Sequence, residues 1–313
     1  TRCRWNGFAM LDRSAQITAF LAAAGWDDAT RSPLAGDAST RRYERLVLDG
    51  RPAVLMDAPD QTATVAAFLR VGDWLGARGF SAPRTLARDV SAGLLLLEDF
   101  GDALVARLLD GAPEQENSLY SGVIDTLVAL HRHSAPDFVL PLDGPAMADL
   151  VQLTVDWYPR AIGIGALPAA QKIPALITRM HDRLADGPQV MALRDFHAEN
   201  LILLPDRALH ARIGLLDYQD AVACQPGYDL VSLLQDARRD VGPGTETAMV
   251  ARFATANDAD PDRFAAHYAT LGAQRALRIL GIFARLCLVA GKPQYLRLIP
   301  RVWGQLQQNL AHP

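Results

Sequence analysis

Short strand patterns dominate the first hundred residues, after one predicted helix. The segment 14–24 is predicted to form a short helix bounded by capping residues. The segments 42–48 and 53–56 are strand-like, and Asp49 and Gly50 between them form a dipeptide typical of tight hairpins. An antiparallel β-hairpin is therefore predicted near the start of the chain.

The strand-rich part ends close to residue 100. An amphipathic helix is predicted over 62–77, with its apolar residues on one broad face. The segment 94–97 consists of four leucines, and such a wholly apolar run predicts a buried strand. It ends at the polar segment 98–101, which we take as the junction with the rest of the chain.

The remainder of the chain is mainly helical in pattern. Helices are predicted over 118–133, 146–162, 173–185, 228–237, 247–256 and 263–290. Strand patterns occur there over 201–204 and 213–216. A small strand-rich part therefore precedes a larger helical part, which predicts an α+β protein.

Composition narrows the class of protein. The chain has 313 residues and a net charge of −4, so no basic excess favours nucleic-acid binding. Three cysteines without CxxC spacing predict neither a disulfide framework nor a zinc site, which favours a cytoplasmic protein. No apolar stretch is long enough for a membrane helix, and the first nine residues do not resemble a signal peptide.

The most informative segment joins two apolar strands that each lie beside a polar residue. We predict an antiparallel hairpin in which Leu204 faces Ile213 and Leu201 faces Leu216. This register places Asn200 opposite Asp217 at the open end of the hairpin. Amide and carboxylate oxygens suit a hard cation, so a Mg²⁺ site is predicted there.

Asp195 precedes Asn200 by five residues, in a loop that leads into the same hairpin. Its carboxylate can orient a substrate hydroxyl and accept its proton while Asn200 faces the metal, which is the division of roles in phosphoryl transfer. The alternative is an ordinary surface hairpin with polar ends. The combination of loop, two apolar strands and terminal aspartate favours the phosphoryl-transfer interpretation.

These residues resemble the kinase-like aminoglycoside phosphotransferase superfamily. The segment RDFHAEN at 194–200 is similar to its catalytic loop, and LLDYQD at 215–220 is similar to its metal-binding segment. The segment LLLLEDFG at 94–101 resembles its hinge. The resemblance implies a bilobal protein-kinase-like fold, with a nucleotide-binding lobe over 10–100, a helical catalytic and substrate lobe over 101–313, and ATP clasped between them.

A finer resemblance concerns kinases of cell-wall sugars within this superfamily. The segments GDASTRRY at 36–43, YDLVSLL at 228–234 and QRALRILGIFARL at 274–286 are similar to anomeric kinases of N-acetylmuramate and N-acetylglucosamine. The resemblance implies ATP- and Mg²⁺-dependent phosphorylation of the anomeric hydroxyl. We expect a monomeric enzyme in the cytoplasm, with a small sugar as its partner and neither nucleic acid nor membrane. An aminoglycoside kinase, another small-alcohol kinase and an inactive nucleotide-binding pseudokinase remain alternatives.

One departure from the kinase pattern motivates the pseudokinase alternative. The chain has two lysines, Lys172 and Lys292, so the first lobe has none to bind phosphate. Arginines beside a polar turn could replace it, because guanidinium groups match phosphate well; solvated strand charges are the other interpretation. The expected ATP contacts are Ser39, Thr40, Arg42 and Glu98.

Four further residues are assigned on weaker grounds. His197 is expected to form an orienting hydrogen bond or to contact substrate. Trp157 could stack on a sugar ring, and packing in a core is the other interpretation of this aromatic helix residue. Arg275 shares a helix face with Arg278; it is expected to face the substrate, unless that face is a solvent-exposed charged stripe. Asp229 is expected to cap a helix or to support the catalytic loop.

Overall fold

The computed structural model describes residues 13–34, 41–185 and 187–313 of the chain. The chain forms two compact units. The first contains the chain up to Arg78 together with Ala82–Gly101, and the second contains Gly79–Ser81 together with Asp102–Pro313. The assignment of 10–100 as a nucleotide-binding lobe and of 101–313 as a catalytic and substrate lobe stays a prediction.

The first unit is built on one antiparallel sheet. Its described helices and strands are α1 (Arg13–Ala23), β1 (Thr30–Leu34), β2 (Arg42–Leu48), β3 (Arg51–Asp57), α2 (Thr62–Gly76), β4 (Thr85–Asp89) and β5 (Leu94–Glu98). The strand order in the described part of this sheet is β1-β2-β3-β5-β4. The two edge strands of this described sheet, β1 and β4, were not predicted, because their mixed polar composition carries no apolar alternation.

The predicted hairpin is confirmed as β2 and β3. Leu48 pairs with Arg51 across a two-residue turn. Asp49 and Gly50 both have positive φ angles, of 50° and 75°, which is the geometry that two-residue hairpins require. The turn sequence therefore fixes the register of these two strands.

The core of the first unit lies between α1 and the sheet. Ile17 and Leu21 of α1 pack on one face of the sheet, against apolar side chains from three strands. Those side chains are Leu46, Ala53, Leu55, Leu94 and Leu96. The four leucines of β5 are buried on both faces, which confirms the prediction of a buried strand at 94–97.

The second unit is mainly helical. Its described helices are α3 (Val105–Gly111), α4 (Glu116–His131), α5 (Gly144–Ala161), α6 (Ile173–Leu184), α7 (Tyr228–Leu234), α8 (Pro243–Ala256), α9 (Pro261–Val289) and α10 (Ile299–Leu310). Short 3₁₀ turns cover Pro113–Gln115, Pro168–Lys172, Ala198–Asn200, Leu209–Arg212 and Pro293–Leu298. Each helix predicted after residue 101 is confirmed, with boundaries that differ by a few residues, whereas α3 and α10 were missed.

Short strands complete the second unit. They are β6 (Leu140–Pro141), β7 (Val190–Ala192), β8 (Leu201–Leu203), β9 (Ile213–Leu215) and β10 (Val222–Cys224). In the described residues, β10 lies between β6 and β7, while β8 and β9 form a separate hairpin. None of the described helices combines the length and the apolar character needed to cross a membrane.

The long helix α9 organises the second unit by packing against α5 and α10. Where α9 crosses α5, Gly281 lies against the backbone of Leu153 and Thr154. A Cβ atom at Gly281 would lie 2.4 Å from the amide nitrogen of Thr154, closer than real contacts allow. The absence of a side chain at Gly281 therefore permits the close approach of the two helices.

Substitution Gly281→Ala should destabilise the protein. The added methyl group meets backbone atoms, which cannot move aside as a flexible side chain can, so we expect a loss of about 1–3 kcal/mol in the free energy of unfolding. Urea denaturation monitored by circular dichroism measures this change. Gly304→Ala in α10 is the matched control, because its Cβ meets no atom within 4 Å. The control should be neutral or slightly stabilising, since alanine favours helices; an equal loss in both variants would contradict the packing argument.

Candidate active site

The hairpin of β8 and β9 is present, but its register differs from the predicted one. Leu201 pairs with Leu215 and Leu203 pairs with Ile213, one residue away from the predicted pairs Leu201–Leu216 and Leu204–Ile213. Leu204 instead donates its N–H to the carbonyl of Arg212, at 2.8 Å. The predicted register is therefore wrong by one residue.

The physical reason is that the hairpin is almost wholly buried on both faces. The residues of β9 are all buried, and so are the first two of β8, so the apolar pattern does not distinguish one register from the next. The 3₁₀ turn Leu209–Arg212 lengthens the connection and sets the pairing instead. This turn carries no apolar periodicity that sequence reasoning could detect.

The corrected register places Asn200 beside Leu216 and not directly opposite Asp217. The N–H of Leu216 donates to the carbonyl of Asn200 at 3.0 Å, so Asp217 is the next residue along the chain. Asp217 has a φ of 55°, which turns the chain away from the strand. The Asp217 carboxylate also accepts a hydrogen bond from the side-chain amide of Gln219, at 3.2 Å.

Hydrogen bonds within the loop connect Asp195, His197 and Asn200. The side-chain Nδ2 of Asn200 donates to the carbonyl of Asp195 at 2.9 Å and lies 3.3 Å from Nε2 of His197. The backbone N–H of Asn200 also donates to the carbonyl of His197. Two of the three predicted central residues, Asp195 and Asn200, are thus held together within one loop.

His197 is buried, and burial lowers the pKa of its imidazole. A neutral imidazole accepts at one ring nitrogen, and Nε2 faces donors on both Asn200 and Arg238, the latter at 3.5 Å. This geometry favours an orienting role over a role as catalytic base. Contact of His197 with substrate stays a prediction.

The start of the loop is anchored from α7. The carboxylate of Asp229 accepts the backbone N–H of Leu193 at 2.6 Å and that of Arg194 at 2.9 Å. Arg194 has a left-handed φ of 70°, and the hydroxyl of Ser232 donates to its carbonyl at 2.9 Å. The expectation that Asp229 supports the catalytic loop is confirmed.

Burial raises the pKa of Asp229 to about 7, against the two backbone N–H groups, which lower it. The positive charge of Arg275 also lowers it, so Arg275 lies near this anchor. Arg275 is 6% exposed and its guanidinium lies 5.9 Å from the ring centre of Tyr228. Because Arg275 is buried, it does not belong to a solvent-exposed charged stripe. Its role in substrate binding stays a prediction.

Trp157 has a different environment from the loop. Its described contact is with the guanidinium of Arg160, 5.4 Å from the ring centre, while the neighbouring Tyr158 stacks on Trp303. These contacts belong to α5 and α10 and do not include the loop that carries Asp195. The structure therefore adds no support to the assignment of Trp157 to the substrate, which stays a prediction.

The four expected ATP contacts lie in the first unit. Ser39 and Thr40 fall outside the described residues. Arg42 is exposed, and strand alternation places it on the sheet face that α1 covers, together with Leu46. Glu98 accepts hydrogen bonds from the backbone and side chain of Arg84. Their contact with ATP stays a prediction.

Arg45 is a cation of this sheet that the sequence analysis did not consider. It lies three residues after Arg42, so it projects from the opposite face of β2. Arg45 forms a two-pronged ion pair with Asp99, at 2.6 and 3.1 Å, and Asp99 is almost fully buried. Side chains alternate between the two faces of a strand, so the spacing of three residues places Arg42 and Arg45 on opposite faces of the sheet. This spacing is the sequence signal that could have distinguished the two arginines.

Comparison with solved structures defines the class of fold. A choline/ethanolamine kinase family protein from Mesorhizobium loti is 16% identical, with a TM-score of 0.65 over 96% of each chain. The aminoglycoside phosphotransferase APH(3'')-Id from Streptomyces rimosus is 21% identical, with a TM-score of 0.57 over 84% of this chain and 99% of that chain. The α+β kinase-like fold that the sequence predicted is thereby confirmed.

Sequence comparison gives the family. The phosphotransferase enzyme family matches residues 30–267, and the chain belongs to this family. A relative from Caulobacter vibrioides, named N-acetylmuramate/N-acetylglucosamine kinase, is 39% identical over 96% of this chain and 93% of its own length. A relative of the same name from Pseudomonas aeruginosa is 31% identical over 92% of this chain and 87% of its own length. The chain is therefore an enzyme, a phosphotransferase.

Substitution Asp229→Asn tests the anchor of the catalytic loop. The amide retains one acceptor oxygen, so one of the two backbone N–H groups would face another donor inside the protein. An unsatisfied buried donor costs about 1–3 kcal/mol, and we expect that loss in the free energy of unfolding together with reduced phosphotransferase activity. Chemical denaturation and a steady-state kinase assay measure the two effects.

Ser232→Ala is the matched control for Asp229→Asn, because it removes a single bond to the same loop. Its loss should be smaller, about 1 kcal/mol. Wild-type stability and activity in Asp229→Asn would show that the two backbone bonds do not hold the loop.

Proposed function

We propose that the protein is an ATP- and Mg²⁺-dependent kinase that phosphorylates the anomeric hydroxyl of N-acetylmuramate and N-acetylglucosamine. The observation that carries the proposal is the hydrogen-bonded loop from Asp195 to Asn200, next to Asp217 at the end of β9. The similarity to two relatives named for this activity, over most of the chain, supports the choice of sugar. The proposal includes a monomeric enzyme in the cytoplasm.

Asp195 is the proposed catalytic residue. Its carboxylate orients the acceptor hydroxyl and accepts its proton as the phosphate is transferred. The loop bonds that fix its backbone also fix its distance from Asn200. Positioning of this kind supplies much of the rate enhancement in phosphoryl transfer, because the protein forms no covalent intermediate.

The available oxygen ligands fit magnesium that is shared with a nucleotide. Among the described residues there is no group of three or more His, Cys, Asp or Glu side chains that could hold a metal alone. Mg²⁺ typically binds one or two protein oxygens and completes its coordination with phosphate oxygens and water. Asn200 and Asp217 would supply those protein oxygens, and the bound ion would neutralise charge on the phosphates.

The identity of the molecule that accepts the phosphate distinguishes the proposed sugar kinase from other kinases of the family. Wild-type enzyme should convert ATP and either free sugar to a sugar 1-phosphate, and should not act on a sugar blocked at the anomeric oxygen. Product analysis by phosphorus NMR identifies the position of the phosphate. Phosphorylation of aminoglycosides or small alcohols alone would favour another kinase of the family and would overturn the choice of sugar.

Substitution Asp195→Asn should lower kcat by about 10²–10⁴-fold, because the amide cannot accept the hydroxyl proton. Asp206→Asn is the matched control, since Asp206 is an exposed acid in the connection at the other end of the same hairpin. Steady-state kinetics with saturating ATP and sugar measures both variants. Full activity in Asp195→Asn would remove Asp195 from the catalytic role.

A further inference from the structure

A cavity of about 330 Å³ lies in the second unit beside the catalytic loop. Glu199, which is part of that loop, lines the cavity together with residues of α3, of α10 and of the segment that follows α7. The cavity is strongly charged. A volume of this size suits a small ligand such as a monosaccharide.

Each arginine that lines the cavity is already paired with a carboxylate from the same wall. The three pairs are Arg239 with Asp110, Arg301 with Asp240, and Arg238 with Glu199. Paired guanidinium groups offer little net positive charge to a ligand. The three ion pairs therefore give the wall of the cavity little positive charge with which to bind an anion.

Asp236 is the remaining charged residue of the wall, and it is 2% exposed. Its Oδ1 accepts the backbone N–H of Arg238 at 2.8 Å. Its Oδ2 is buried and has no hydrogen-bond partner within the described ranges. A buried carboxylate oxygen without a partner is costly, so this atom requires a donor, either from a bound ligand or from a neighbouring side chain.

Asp236 is also close to the catalytic loop. Burial lowers the pKa of His197, and the negative charge of Asp236 is the largest effect that opposes this shift. His197 in turn lies within hydrogen-bond distance of Asn200. A ligand that reaches Oδ2 therefore lies near the residues proposed for phosphoryl transfer.

We propose that Oδ2 of Asp236 accepts a hydrogen bond from the sugar and so determines which sugars bind. This inference rests on the proposed function. A carboxylate can only accept, so its partner is a ring hydroxyl or the N–H of the N-acetyl group. The donor must be common to both sugars, and the lactyl carboxylate of N-acetylmuramate must lie away from Asp236, since like charges repel.

An internal hydrogen bond from Tyr120 is the competing explanation for Oδ2 of Asp236. Its hydroxyl is fully buried; burial and the charge of Asp236 raise its pKa, whereas the charge of Arg239 and a hydrogen bond with the Arg239 side chain lower it. A small rotation could direct that hydroxyl to Asp236. The variant Tyr120→Phe removes this donor and therefore separates an internal bond from a bond to the sugar.

Substitution Asp236→Asn is the central test. The amide keeps Oδ1 for the N–H of Arg238 and replaces the acceptor Oδ2 by a donor. We expect kcat/KM for both sugars to fall by about 10- to 100-fold, to a similar extent for each, with little change in KM for ATP. Asp125→Asn controls for the loss of one negative charge, because Asp125 pairs with Arg252 on the surface.

Sugar analogues provide a second measurement on the wild-type enzyme, whose folding is not in question. Analogues that lack the 4-hydroxyl, the 6-hydroxyl or the N-acetyl group are compared with N-acetylglucosamine. One of them should lose about 10- to 100-fold in kcat/KM with wild-type enzyme and show no such loss with Asp236→Asn. That pattern would identify the group that Asp236 binds.

The outcomes distinguish this inference from the proposed function. Wild-type enzyme that phosphorylates neither sugar overturns both. If the wild-type enzyme is active and folded Asp236→Asn has unchanged kinetics for both sugars, the role of Asp236 is overturned while the proposed function stands. A loss in Asp236→Asn that is confined to N-acetylmuramate has the same consequence. Additive losses for every analogue, or a loss in Tyr120→Phe as large as that in Asp236→Asn, would assign the oxygen to an internal bond.

Discussion

The bonds from Asp229 to Leu193 and Arg194 determine where the catalytic loop lies. Arg194 adopts a left-handed backbone conformation, which costs a residue with a Cβ atom about 1–2 kcal/mol. The carboxylate of Asp229 offsets this cost by accepting two backbone N–H groups that would otherwise be buried without a partner. Asp195 follows directly, so its position depends on an anchor 34 residues further along the chain.

Burial of that anchor requires a compensating charge. Asp229 is fully buried, and burial raises its pKa to about 7; the two backbone N–H groups and then the positive charge of Arg275 in α9 oppose this shift. The burial of Arg275 could not be predicted, because the helical pattern gives its spacing from Arg278 but not the depth of its face. Which face of a long helix is buried depends on the helices that pack around it, and here α5 and α10 enclose α9. Spacing within one helix contains no information about those neighbours.

The sequence predicted the parts of the fold that carry a strong local signal. The turn at Asp49 and Gly50, the leucines of β5 and the long helix α9 each follow from residue type and periodicity. The polar edge strand β1 was missed because its pairing with β2, not its own pattern, makes it a strand. The register of β8 and β9 was wrong because a buried hairpin has two apolar faces and a turn that the pattern does not specify.

The burial of His197 determines which end of the Asn200 side chain can serve a cation. Burial keeps the imidazole neutral, so Nε2 accepts and the amide nitrogen of Asn200 is directed to it and to the carbonyl of Asp195. The amide oxygen then points away from these two groups. In the proposed function this oxygen is the magnesium ligand, and a protonated His197 would repel both the amide nitrogen and the ion. The burial of His197 thus controls how the neighbouring Asn200 side chain is oriented.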